Sequence, residues 1–144
     1  MAGWALEEGL YVMVNVHHDS WQWIMEMPSR PDAVLERFTA TYEQIAAAFR
    51  DAPPELLLES VNEPFFEGSS GDAENAELLH RLNAAFVSVV RDSGGINATR
   101  PLVLSTLHAS SEQERLDELA ASLAIIDDPA WWPRCTSTAT GRSV

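Results

Sequence analysis

Apolar residues follow two rhythms along the chain. Residues 10–16 (LYVMVNV), 55–61 (ELLLESV) and 101–107 (PLVLSTL) are short and nearly continuously apolar. Runs this short and this rich in branched side chains predict buried strands. Between them the spacing becomes that of helices with one buried stripe. Over residues 32–50 the stripe is Val34, Leu35, Phe38, Tyr42, Ile45 and Phe49, and from Asp72 onward it is Leu78, Leu79, Leu82, Phe86, Val89 and Val90. A third stripe comprises Leu116, Leu119, Leu123 and Ile126. Punctuation fits these elements. Ala52-Pro53-Pro54 closes the first helix, Asp72 is placed to cap the second, Gly94-Gly95 ends it, and Ser111-x-x-Glu114 has the form of a capping box. Residues 4–8 read as the last turns of a helix stopped by Gly9.

Strands this apolar, each separated from the next by a helix, predict a parallel sheet covered by helices. A doubly wound sheet and a (β/α)8 barrel both satisfy that alternation. Polar residues collect where the three strands end, as NVHHD, SVNEP and STLHA. Barrels assemble their sites there from several strands at once. An open sheet would usually carry a glycine-rich phosphate turn after its first strand, and none is present. The expected fold class is therefore α/β, of the (β/α)8 TIM barrel type.

Length and charge narrow the function. The 144 residues suit one domain, and a formal charge of -13, with all nine basic residues arginine, repels phosphate backbones. Nucleic acid is not expected as a partner, and most of this charge serves solubility. Cys135 is the only cysteine, which excludes an internal disulfide and a cysteine metal cluster. The first residues lack the basic and apolar regions of a secretory signal, and no apolar run has the length of a membrane span.

Glu63 is the leading candidate for chemistry. Asn62 stands beside it, Pro64 fixes the turn, and Phe65 and Phe66 are expected to wall it with apolar surface and raise its pKa by desolvation. A carboxylic acid still protonated near neutral pH can donate to a departing glycosidic oxygen. Glu59, four residues earlier, reads as a structural ion pair with a strand not contained in the chain. His17 and His18 are adjacent on a strand, so alternation predicts that they face opposite ways and do not share a metal; hydrogen bonding to sugar suits them better. Trp21 and Trp23 in the same loop can offer flat faces to pyranose rings. His108 and His80 are read as structural, and Asn97-Ala98-Thr99 as a chance match to a glycosylation triplet.

The segments VNVHHDSWQW, LLLESVNEPF about forty residues later, and GGINATRPLVL together resemble glycoside hydrolase family 5, the cellulase family, over about residues 4–129. The resemblance implies a (β/α)8 barrel, retention of anomeric configuration, and catalysis without metal or organic cofactor. Glu63 corresponds to the acid/base after the fourth strand, and Asn62 to the residue holding the sugar's 2-hydroxyl. His17 and His18 shape the central subsites. The family's nucleophile, a glutamate on the seventh strand, has no counterpart here, and its first two strands precede Met1. The expectation is a fragment truncated at both ends, holding strands three to five in a partial catalytic domain at residues 1–130.

The implied substrate is a β-1,4-glucan polysaccharide or oligosaccharide, with β-mannan as an alternative, and the implied location of the parent enzyme is extracellular. Without its nucleophile the chain is expected to show no appreciable turnover, and a non-catalytic carbohydrate-binding remnant, or a product that does not fold, is the other reading. Oligomeric state does not follow from these residues. Residues 131–144 lack periodicity and are expected to be an unstructured tail. A frameshift also accounts for them: read from the third base, the Trp131-Trp132-Pro133 codons spell Val-Ala, and that frame permits the His-x-Tyr of the family's sixth strand.

Overall fold

The structure, a computed structural model, describes residues 2–128 and the backbone of residues 131–134. A short helix α1 (Ala2–Glu7) leads into β1 (Val12–Val14), followed by α2 (Pro31–Ala48), β2 (Leu56–Glu59), α3 (Asp72–Asp92), β3 (Leu102–Ser105), α4 (Gln113–Ile126) and β4 (Trp131–Arg134). All four strands are parallel and lie in the order β1-β2-β3-β4. Spatial order therefore equals chain order. A doubly wound sheet reverses direction at a switch point, whereas a barrel winds one way, so the topology is that of a barrel segment.

The helices cover one face of this sheet. Leu56, Leu58, Leu102 and Leu104 are fully buried in a single core with Phe38, Tyr42, Leu82 and Phe86, while Val12 and Val14 pack at its margin. Each such aliphatic or aromatic side chain contributes roughly 1.5–3 kcal/mol on burial. The alternate residues Met13, Leu57 and Val103 lie outside that core, as two-residue periodicity requires of side chains aimed at a barrel's interior. Tyr42 sits at the centre of the helix layer, its ring 4.9 Å from Phe38 and 4.7 Å from Phe86.

Several local expectations are corrected. Asp72 is the first helical residue of α3 and Gly71 occupies the cap. The capping box does not form: Glu112 caps α4, and its amide donates to Ser110 Oγ at 3.2 Å. The inward face of α4 includes Arg115 and Ser122, with Leu116 only half-buried. Residues 131–134, expected to be unstructured, pair with β3 from Leu102↔Trp131 to Ser105↔Arg134. A parallel ladder is made by backbone, which needs no side-chain periodicity. Residues 135–144, with Cys135, lie outside the described residues.

At the end of the sheet where the strands begin, Arg100 is fully buried and spends its guanidinium on backbone carbonyls. It donates to Pro53 at 3.0 Å, to Phe49 and Ala52 at 2.8 Å each, to Leu56, and through Nε to Asn97 Oδ1 at 2.7 Å. Asn97 in turn donates to Ala46 O at 2.9 Å and Ser93 Oγ at 2.8 Å. A fully buried, doubly engaged amide is closed to glycosylation in the folded chain. Gly95 completes the turn at φ +60°, where a Cβ would lie 3.0 Å from Arg50 O and 2.8 Å from Asp51 Oδ1.

Candidate active site

The opposite end, where the strands finish, brings together the candidate residues. After Val14 the chain leaves the ladder: His17 has helical dihedrals (φ −93°, ψ −70°), and His18–Trp21 form a 3-10 turn. Strand alternation stops with the extended backbone, so the expectation that His17 and His18 face opposite ways is wrong. Their rings meet edge to face with centroids 5.1 Å apart, and Trp21 lies 5.5 Å from His18 and 6.4 Å from His17. All three are exposed, Trp21 by 46%. Trp23 is different. It is buried, donates its indole N–H to Asp19 Oδ1 at 2.5 Å, and carries the Arg37 guanidinium 4.3 Å above its ring. Trp21 alone of the pair offers an open face.

Beyond β2 the backbone turns sharply at Glu63, which holds φ +44°. A left-handed conformation at a residue with a Cβ costs on the order of 1–3 kcal/mol and persists only when its surroundings impose it. Here both neighbours are fixed. The Asn62 amide donates to Val16 O at 3.2 Å and its carbonyl accepts from Ser20 Oγ, while Pro64 O accepts from the His108 amide at 2.9 Å. The loops after β1 and β3 thus clamp the residues on either side of Glu63. Its own side chain is exposed.

The apolar enclosure expected of Phe65 and Phe66 does not form. Phe66 turns into the helix-side core at 7% exposure, and Phe65 stacks on His108 with centroids 6.4 Å apart. Two adjacent aromatics beyond a strand end divide between inside and outside. His108, read as structural from sequence, instead borders the Glu63 loop through both its ring and its amide. Asn62 is buried, and among the described residues no side chain bonds its amide group.

Below this rim Glu59 is fully buried on the barrel-interior face. Asn15 Nδ2 donates to its Oε2 at 2.6 Å. Ser105 Oγ lies 3.2 Å from Oε1 but 2.5 Å from Val61 O, and its single hydrogen favours the carbonyl. The Tyr42 hydroxyl lies 2.5 and 2.6 Å from the Glu59 and Ser60 carbonyl oxygens, which share its single hydrogen. Burial, and secondarily the charges of Glu59 and Asp19, push the Tyr42 pKa well above that of an ordinary tyrosine. Asn15, Ser20 and Ser105 escaped the sequence reading, which placed Tyr42 in the core but gave its hydroxyl no role. The signal available for Asn15 was a polar residue inside an apolar strand. Among the described residues no group of three or more histidine, cysteine, aspartate or glutamate side chains is placed to hold a metal.

Parallel strands wound in one direction, with histidines, an indole face and a clamped glutamate at their C-terminal ends, define a chain of the (β/α)-barrel class whose rim is a polar site. The chain belongs to glycoside hydrolase family 5, the cellulase family, whose model matches residues 1–129. It is 51% identical over 127 residues to endoglucanase B of Paenibacillus lautus, covering 87% of this chain and 22% of that protein. Its backbone superposes on the tri-modular endo-β-1,4-glucanase B of Bacillus halodurans with TM-score 0.86 and 43% identity, covering 91% of this chain and 25% of the other. A xyloglucan-specific endo-β-1,4-glucanase from a metagenomic library, in complex with cellotriose, gives TM-score 0.83 at 29% identity, covering 96% and 41% respectively. The chain thus spans about a fifth of the curated relative and between a quarter and two fifths of the solved ones.

Proposed function

We propose that this chain carries the acid/base half of a retaining endo-β-1,4-glucanase site, with Glu63 as the proton donor and acceptor. The observation that carries this reading is the positive φ of Glu63, held by anchors on both sides at the rim of a parallel sheet. A structure retains such strain where the position of one side chain matters. In the first step Glu63 protonates the glycosidic oxygen as the bond to the anomeric carbon breaks; in the second, as carboxylate, it takes a proton from the water that releases the sugar. Asn62 hydrogen-bonds the 2-hydroxyl more strongly as charge develops at the anomeric centre. His17 and His18 line the adjacent subsite, and Trp21 stacks on a pyranose ring of a β-1,4-glucan chain.

Retention needs a second carboxylate about 5 Å from the first, to attack the anomeric carbon. In the reading adopted here that nucleophile belongs to the seventh strand of a complete barrel, and the described sheet has four strands. The chain alone therefore binds glucan without appreciable turnover, and the complete enzyme acts outside the cell, where polymeric glucan lies. The endoglucanase names of its relatives, and the cellotriose bound by one of them, support β-1,4-glucan over mannan.

The reading is tested in a chimera, with residues 2–128 of this chain replacing the matched segment of the Paenibacillus lautus endoglucanase. The chimera hydrolyses soluble β-1,4-glucan, and Glu63→Gln lowers kcat by about 10²–10⁴-fold without changing thermal stability. An active chimera indifferent to Glu63→Gln contradicts the assignment. Robust turnover by the isolated chain contradicts the division of the two carboxylates.

A further inference from the structure

We propose that Ser20 is a positioning residue for Glu63, its hydroxyl holding the peptide between Asn62 and Glu63 in the orientation that aims the acid at the glycosidic oxygen. The inference rests on the acid/base reading of Glu63 above. Ser20 is fully buried within the turn His18–Trp21. Its Oγ lies 3.3 Å from His17 O and closer to Asn62 O, so its single hydrogen goes to Asn62. That bond ties the loop after β1 to the loop after β2.

The contact acts on the strained dihedral itself. The Asn62 carbonyl and the Glu63 N–H share one planar unit. Holding that carbonyl fixes ψ of Asn62 and φ of Glu63 together, and this φ is +44°, which a residue with a Cβ does not keep unaided. The other two anchors act on different units. Asn62 N–H on Val16 O holds the preceding one, and the His108 amide on Pro64 O holds the one beyond the Glu63–Pro64 bond. Of the three, only the bond from Ser20 orients the unit that carries φ of Glu63. It is also the one made by a side chain, so substitution can remove it and leave the other two in place.

The turn that carries Ser20 is braced in its own right. Asp19 accepts the Trp23 indole N–H at 2.5 Å through Oδ1, and the Gln22 and Trp23 amides at 3.3 and 3.2 Å through its carbonyl. Farther along, the Glu67 amide donates to Met25 O at 2.9 Å and joins the same two loops a second time. In this turn His18 and Trp21 are exposed while Ser20 points inward. A sugar resting on the exposed side bears on the turn whose hydroxyl orients the acid, a route by which binding energy from a remote ring serves the reacting centre. Misplacing a catalytic group by about 1 Å costs on the order of 100-fold in rate. Loss of the Ser20 hydroxyl should therefore fall on proton transfer, since the surface offered to sugar is kept.

Two aryl β-cellobiosides, hydrolysed by the Paenibacillus lautus chimera, test the proposal. Phenol departs only as it receives the proton of Glu63, whereas dinitrophenolate leaves with the electron pair of the broken bond unaided. Ser20→Ala should lower kcat/KM about tenfold or more for the phenyl glycoside and about twofold or less for the dinitrophenyl glycoside. The ratio of the two values does not depend on how much of the protein is correctly folded, so a partly unfolded variant still decides. If far-UV circular dichroism shows that Ser20→Ala does not fold, Ser20→Cys, similar in size with a weak S–H donor, should show the same selectivity in smaller measure. A merely structural role would lower both substrates equally. Glu63→Gln is the reference. Selective loss in Glu63→Gln, with equal losses or none in the Ser20 variant, overturns this proposal and leaves the acid in place. Equal losses in Glu63→Gln overturn the acid assignment and this proposal with it.

Discussion

The two ends of the sheet are built on opposite plans. Where the strands begin, polar groups are consumed internally. Arg100 gathers carbonyls from the end of α2, the following turn and the start of β2, while Arg91 donates to Asp128 at 2.5 and 2.9 Å and to the Asn97 and Arg100 carbonyls at 2.6 and 2.9 Å. Where the strands finish, backbone is tied down but side chains are left open: His17, His18, Trp21, Glu63 and His108 all face solvent. One end holds the fold and the other presents chemistry, the division that barrel architecture allows by placing sites on loops and stability beneath them. Substitutions at the beginning of the strands should therefore cost stability, and those at the rim should change binding or rate.

The sharpest way to break this contrast is Arg100→Met. It takes a donor from four backbone carbonyls, of which Phe49 and Pro53 keep a backbone N–H partner, and should lower unfolding free energy by about 2–4 kcal/mol, measured by urea denaturation. A loss below about 1 kcal/mol would mean that the clamp is ornamental. Tyr42→Phe probes the level between the two ends. Losing the hydroxyl that serves the Glu59 and Ser60 carbonyls should cost about 1–2 kcal/mol at neutral pH. The native state also holds the Tyr42 proton more tightly than the unfolded chain, so stability falls as pH rises past about 10, the ordinary tyrosine value. Urea midpoints at neutral and alkaline pH should show the Phe variant losing less over that interval. The smallest effect belongs to the rim. Trp21→Ala should leave stability within about 0.5 kcal/mol of the parent and weaken cellotetraose binding by about 1 kcal/mol in calorimetry. Destabilisation without loss of binding would reverse the assignment of that face.

The core was largely legible because both periodicities are strong. Leu56, Leu58, Leu82 and Phe86 announce their faces by spacing alone, and the polar endings of three strands located the rim. What stayed hidden depends on where regular structure stops. His17 and His18 share a side because the backbone curls at His17, and periodicity ends there. Phe66 joins the core while Phe65 does not, since a loop has no face to predict. Asn15 and Ser105 meet Glu59 across three strands, a pairing set by register rather than by any local pattern. The strand at 131–134 is a backbone ladder that its side chains do not advertise.

The most direct test of Glu63 uses the Paenibacillus chimera bearing Glu63→Ala, an aryl β-cellobioside with a good leaving group, and added azide. Such a substrate needs no acid for its first step, and azide needs no base to attack the glycosyl-enzyme, so azide should restore turnover and yield the β-configured glycosyl azide. Absence of rescue in a folded variant, or an α-configured product, would contradict both the residue's role and the retaining course.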